Sequence, residues 1–117
     1  MSEVKRATRV AERVREEMAW LITRDVRDPR VRDVIVSRVE MTDDLKMARV
    51  YVRMLTGGDS KEALEGLKKT SSMLRREVSK KVGLRYAPEL RFFYDDGLDR
   101  SSRIEELLEE VKRDAKK

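Results

Sequence analysis

Apolar residues recur along this chain in two rhythms. From Val4 to Arg24, Val4, Ala7, Ala11, Val14, Met18, Leu21 and Ile22 return at three- and four-residue steps, which places them on one stripe of an amphipathic helix. Asp28-Pro29 closes the segment, because the residue before a proline is pushed out of the helical region. The rhythm then shortens to two. In Val34–Met41, simple alternation puts Ile35, Ser37, Val39 and Met41 on one face and Arg38 and Glu40 on the other. In Met47–Leu55, Ala48, Val50, Val52 and Met54 alternate with Arg49, Tyr51 and Arg53. Both runs predict strands with one buried face, and Thr42-Asp43-Asp44 suits the hairpin link between them.

Helical spacing returns from Ser60 to Val82, with Leu64, Leu67, Leu74, Val78 and Val82 as the stripe and Ser71 in line with it. Asp59 followed by Glu62 resembles a capping box, and Gly83 is placed to cap the C-terminus. The centre, Thr70-Ser71-Ser72, is weak. Three hydroxyl residues in a row have indifferent helix propensity and compete for backbone hydrogen bonds. Met73 would fall on the polar side of a continuous helix, so two helices meeting near Ser71–Ser72 are expected. Glu89–Tyr94 alternates Leu90, Phe92 and Tyr94 with Arg91 and Phe93, a third strand with both faces partly covered. A last helix is expected from about Ser102 to Lys112, in a C-terminal extension over residues 102–117.

The predicted order is α-β-β-α-α-β plus a C-terminal helix, within one α+β domain spanning residues 1–117. Helices packed on one face of a three-stranded sheet would bury every stripe. That order is similar to the type II KH domain, an RNA-binding fold whose recognition loop lies between its two central helices.

Composition narrows the chemistry. The 117 residues contain no cysteine and no histidine. Disulfides and thiolate nucleophiles are thereby excluded, and the commonest general base and metal ligand are missing. The carboxylate pairs Asp43-Asp44 and Asp95-Asp96 sit in polar turns, where solvation explains them. Catalytic residues, metal ligands and cofactors are therefore not expected, and neither is an enzyme. The sequence contains no apolar run of membrane-spanning length, so a cytoplasmic address and a monomer without membrane contact are expected.

Charge supplies the positive clue. Lys and Arg number 28 against 23 Asp and Glu, a net +5. Residues 61–91 carry nine basic and four acidic side chains, so the difference within this stretch equals that net charge. Between Lys68 and Arg85 the only acid is Glu77, among Lys68, Lys69, Arg75, Arg76, Lys80, Lys81 and Arg85. On a helical wheel Lys69, Arg76 and Lys80 lie opposite the apolar stripe, with Lys68, Arg75 and Lys81 on its flanks. This is where a polyanion would be attracted. A solvated helix surface is the ordinary alternative. A second patch runs along the first helix, where Trp20 lines up with Arg6, Arg9, Arg13 and Arg24, diluted by Glu16 and Glu17. An aromatic among arginines suits base stacking, but a lone Trp is seldom left bare. Packing against another element, such as the C-terminal helix, is the expectation for Trp20.

Several strings resemble the ribosome-binding factor A family. They are Arg9-Val10-Ala11, Asp28-Pro29-Arg30-Val31, Val39-Glu40-Met41-Thr42 followed by Asp44-Leu45, Ala48-Arg49-Val50-Tyr51-Val52, Met73-Leu74-Arg75 and Pro88-Glu89-Leu90-Arg91-Phe92-Phe93-Tyr94-Asp95. They occur in the family's order over residues 9–95. The resemblance implies a partner, 16S rRNA within the free 30S subunit, and a role in late subunit maturation including 5′-end processing of that rRNA. There is one departure. Where the family places Ala-x-Gly at the helix break, this chain has Thr70-Ser71-Ser72, so the freedom of glycine is missing and the hydroxyls of Ser71 and Ser72 are candidate phosphate donors. A KH-like module for other RNAs and a charged-helix protein adaptor are the competing readings.

Overall fold

A computed structural model describes residues 2–95 of the chain. The helix expected from Ser102 to Lys112 lies outside the described residues. The elements are α1 (Glu3–Arg24), a short 3-10 turn (Pro29–Val31), β1 (Val34–Met41), β2 (Met47–Met54), α2 (Ser60–Lys69), α3 (Ser71–Val82) and β3 (Glu89–Tyr94). The expected order is the one found.

The starts of α1 and α2 and the end of α3 are bounded by capping residues. The Ser2 hydroxyl accepts from the Lys5 N–H at the start of α1. The Asp59 carboxylate accepts from the Lys61 and Glu62 N–H groups at the start of α2. Gly83 closes α3 at φ +80°, a left-handed conformation that glycine adopts without Cβ strain. The central break falls at Thr70, one residue before the expected site, with φ −97° and ψ 6°. There the Thr70 N–H and hydroxyl both turn back to the Gly66 and Leu67 carbonyls, which closes α2 and lets α3 start on a new axis. Met73, misplaced on a continuous helix, packs half-buried against the core.

The sheet order is β1-β2-β3, antiparallel between β1 and β2 and parallel between β2 and β3. One core joins Val14, Met18, Leu21 and Ile22 of α1, Ala63 and Leu67 of α2, and Leu74 and Val78 of α3 to Val34, Val36, Ala48, Val50 and Val52 of the sheet. Leu90, Phe92 and Tyr94 of β3 are half-buried as expected.

Two expectations are corrected here. Val4, placed in the α1 stripe by spacing, is 60% exposed at the first turn, beyond the edge of the core. In β1, Ile35 does not share a face with Val39 and Met41. Val36 pairs with Val52 and Arg38 with Tyr51, leaving Ser37 as an extra residue. This β-bulge reverses the phase of the strand. Val34 and Val36 before it, and Val39 and Met41 after it, therefore all meet the core face of β2, while Ile35 is turned outward and is 46% exposed.

The opposite face of the sheet is also furnished. Tyr51, only 2% exposed, stacks on Phe93 at 5.3 Å between centroids, with the Arg38 guanidinium 3.9 Å from its ring centre. Asp95 accepts from the Ser37 hydroxyl at 2.9 Å and from Arg38 at 3.1 Å.

Candidate nucleic-acid interface

The break at Thr70 sets where each candidate cation points. Lys69, the last residue of α2, lies beside the Asp28 turn and helps lower the pKa of that carboxylate. The turn itself is anchored on α2. Asp28 accepts from the Arg30 N–H at 2.9 Å and from its guanidinium at 2.7 Å, Arg30 reaches Glu65 at 3.8 Å, and Gly66 lies flat against Val31. The Arg30 side chain first, and its N–H second, hold the Asp28 carboxyl down to about 2.

Lys68 faces the other way. It lines a groove of about 560 Å³ between α2 and β3 with Lys61, Leu64, Arg91, Phe92 and Phe93, among others. Ser72, Arg76 and Lys80 of α3 line a second groove with Leu84 and Arg85 of the following loop. Arg76, Lys80 and Arg85 are exposed. Glu77 lies 3.9 Å from Arg76. Arg75 borders the same groove, but its Nε donates to the Pro88 carbonyl at 2.9 Å and its Nη2 to Ala87 at 3.2 Å. Its first task is to tie the loop to α3.

Ser72, exposed, and Ser71, half-buried, form the first turn of α3, where no side-chain hydrogen bond caps the helix. An uncapped first turn presents backbone N–H groups and the positive end of the helix dipole, which suits an anion. Replacing the glycine of Ala-x-Gly costs nothing in backbone strain, because Ser72 sits inside the helix and Leu45 is the only non-glycine residue with positive φ among those described.

The second patch is divided differently from its alignment along the helix. Arg6 lies fourteen residues, or about 21 Å of helix, from Trp20, and does not share a groove with it. Arg13 turns to α3, donating from Nη2 to the Lys81 carbonyl at 3.3 Å. Arg9 is exposed on the same helix. Arg24 lies 6.0 Å from the Trp20 ring centre. Trp20 itself is 63% exposed, and the C-terminal helix expected to cover it lies outside the described residues. Lys81 sits on the flank of α3 by its helical phase. From there it lines one groove with Trp20 and Arg24. Sequence spacing could not bring these three together, since α1 and α3 meet only through tertiary packing.

Among the described residues there is no cluster placed to hold a metal ion, and no helix is long and apolar enough to cross a membrane. What the surface offers is cations, hydroxyls and one bare indole, around a broken helix pair on a three-stranded mixed sheet. These features define a KH-like α+β domain with an exposed basic surface.

Similarity to known proteins makes the assignment specific. The family model described as ribosome-binding factor A matches residues 6–108. A ribosome-binding factor A from Sorangium cellulosum is 56% identical over 113 residues, covering 93% of this chain and 90% of the relative. The crystal structure of ribosome-binding factor A from Thermus thermophilus superposes with a TM-score of 0.69 at 23% identity, covering 75% of this chain and 94% of that one. A Thermus thermophilus homology model fitted into the cryo-EM map of a 30S–RbfA complex gives 0.64 at 23% identity, covering 81% and 97%. This chain belongs to the ribosome-binding factor A family.

Proposed function

We propose that this protein binds the free 30S ribosomal subunit in the cytoplasm through 16S rRNA and assists its late maturation, including processing of the rRNA 5′ end, without catalysing a reaction itself. Family membership supports the reading, as does the relative fitted into a 30S complex map. The observation that carries it is the α3 groove, where Ser72, Arg76, Lys80 and Arg85 converge beside an uncapped helix start. Cations neutralise rRNA phosphates and release their counterions. Hydroxyls and N–H groups at the start of α3 donate to phosphate oxygens and set orientation. The rigid core behind the groove keeps these donors in a fixed pattern, so the surface selects RNA shape as well as charge.

The test is sedimentation of a lysate together with binding of purified protein to isolated subunits. Wild-type protein travels with free small subunits and avoids translating ribosomes. Arg76→Glu with Lys80→Glu abolishes this association while the melting curve is retained, because both side chains are exposed. An even spread of wild-type protein through the gradient, or a double variant that still binds, would sink the reading.

A further inference from the structure

Trp20 is the only tryptophan of the chain, and the α3 groove makes no use of it. Its neighbours Leu21 and Ile22 are buried at 2% and 3% exposure, so α1 is pinned to the core where the indole projects. Two shallow grooves meet on that ring. One is bordered by Glu16, Glu17, Ala19 and Thr23, the other by Glu17, Leu21, Arg24 and Lys81. Lys81 is drawn in from α3, whose end is tied to α1 by Arg13. Glu16 therefore borders the indole on one side and the two cations border it on the other, with Glu17 reaching both grooves.

We propose that Trp20 is a stacking platform for a single unpaired RNA base, with Arg24 and Lys81 engaging the phosphates that flank it. This deepens the rRNA-binding reading and rests on it. A flat aromatic face accepts any base by stacking, and a guanidinium or ammonium beside it suits the adjoining backbone. The acids, which look unfavourable for RNA, sharpen the choice. Glu16 and Glu17 repel a second run of phosphates, so the continuous backbone of a duplex fits poorly. One splayed nucleotide keeps its phosphates on the Arg24–Lys81 side. It also offers amino or imino hydrogens of its base edge to the Glu17 carboxylate, which only accepts when ionised.

A protein partner is the other class of occupant, and the surroundings argue against it. Protein interfaces are built on an apolar core of several side chains. The other exposed large apolar side chains among the described residues are Val4, Ile35, Leu55 and Tyr86. Val4 is sixteen residues, or about 24 Å of helix, away, and the others belong to different elements. Among the described residues, none of these other exposed large apolar side chains borders the Trp20 grooves.

Because Trp20 is the sole tryptophan, its fluorescence reports this position and no other. Full-length protein is titrated at low salt with an unstructured oligoribonucleotide, an RNA duplex of equal length, and deproteinised 16S rRNA. Quenching by the single strand and the rRNA, with little by the duplex even where the duplex binds, is the expected result. Trp20→Ala lowers affinity for deproteinised rRNA about tenfold, in line with the loss of one stacked base, and Trp20→Phe restores most of it. Unquenched fluorescence at saturating RNA, or equal quenching by duplex, overturns the stacking site and leaves the α3 groove standing. A spectral change seen with intact subunits and not with deproteinised rRNA overturns it in favour of a protein partner. If Arg76→Glu with Lys80→Glu leaves rRNA association unchanged, the underlying reading has failed, and the stacking site with it.

Discussion

Asp28 illustrates how much a single side chain settles locally. Its carboxylate caps the turn after α1 and receives the Arg30 guanidinium, and these bonds hold its pKa at about 2, against about 4 for an ordinary Asp. A lowered folded-state pKa means that the carboxylate stabilises the fold fully above pH 4 and loses that contribution as pH falls toward 2. Asp28→Asn is expected to melt at a lower temperature at pH 6, with the difference from wild type shrinking between pH 4 and pH 2. Thermal melts across that range check the sign. Gly66 is a steric counterpart on the facing helix. A Cβ there would stand 2.9 Å from Val31 Cγ1 and 3.4 Å from Arg30 Cβ, and Val31 is a stiff, buried, β-branched residue. Alanine improves helix propensity by about 1 kcal/mol, yet overpacking of this kind costs about 1–3 kcal/mol. Gly66→Ala should therefore be destabilising by about 1 kcal/mol in urea titration, and a more stable variant would mean that Val31 yields easily.

At the scale of elements, the bulge at Ser37 reconciles two incompatible halves of β1. Val34 and Val36 are in one phase of a two-residue repeat, Val39 and Met41 in the other, and the extra residue lets both halves face the core. Deleting Ser37 would expel one pair. With about 1.5–3 kcal/mol for each buried aliphatic side chain, the loss is several kcal/mol, and the protein should lose its cooperative thermal transition. The same deletion also removes the hydroxyl that donates to Asp95 at 2.9 Å. Substitution by Ala, which keeps the bulge, separates the two effects and should retain a sharp transition. The helix break at Thr70 is a second discontinuity of this type. It converts one long amphipathic pattern into two helices whose apolar faces both reach the sheet, and it leaves the start of α3 uncapped beside the groove cations.

At the scale of the whole molecule, the proposed function rests on the arrangement of charge. Net +5 on 117 residues is modest, and salt dependence will report only the cations that meet phosphate. Each contact removed should reduce the slope of log affinity against log salt by about 0.7–0.9. Arg76→Ala and Lys80→Ala are each expected to flatten the slope by about that amount. Arg75→Ala should act mainly through its grip on the Ala87 and Pro88 carbonyls, lowering the melting temperature. Filter binding to isolated small subunits at several salt concentrations, alongside thermal melts, distinguishes the two classes.

The sequence by itself determined the order and nearly all the boundaries of the described elements, because caps, turns and apolar periods are written within a few neighbouring residues. Asp59, Gly83, Asp28-Pro29 and the alternation in β2 were legible for that reason, as was the stretch of basic residues from Lys68 to Arg85. Only the tertiary structure decided the phase of β1, because a bulge is defined against the partner strand. It also decided the grouping of Lys81 of α3 with Trp20 and Arg24 of α1. Which cations share a groove depends on how helices distant in sequence cross, and no periodicity within either helix contains that information.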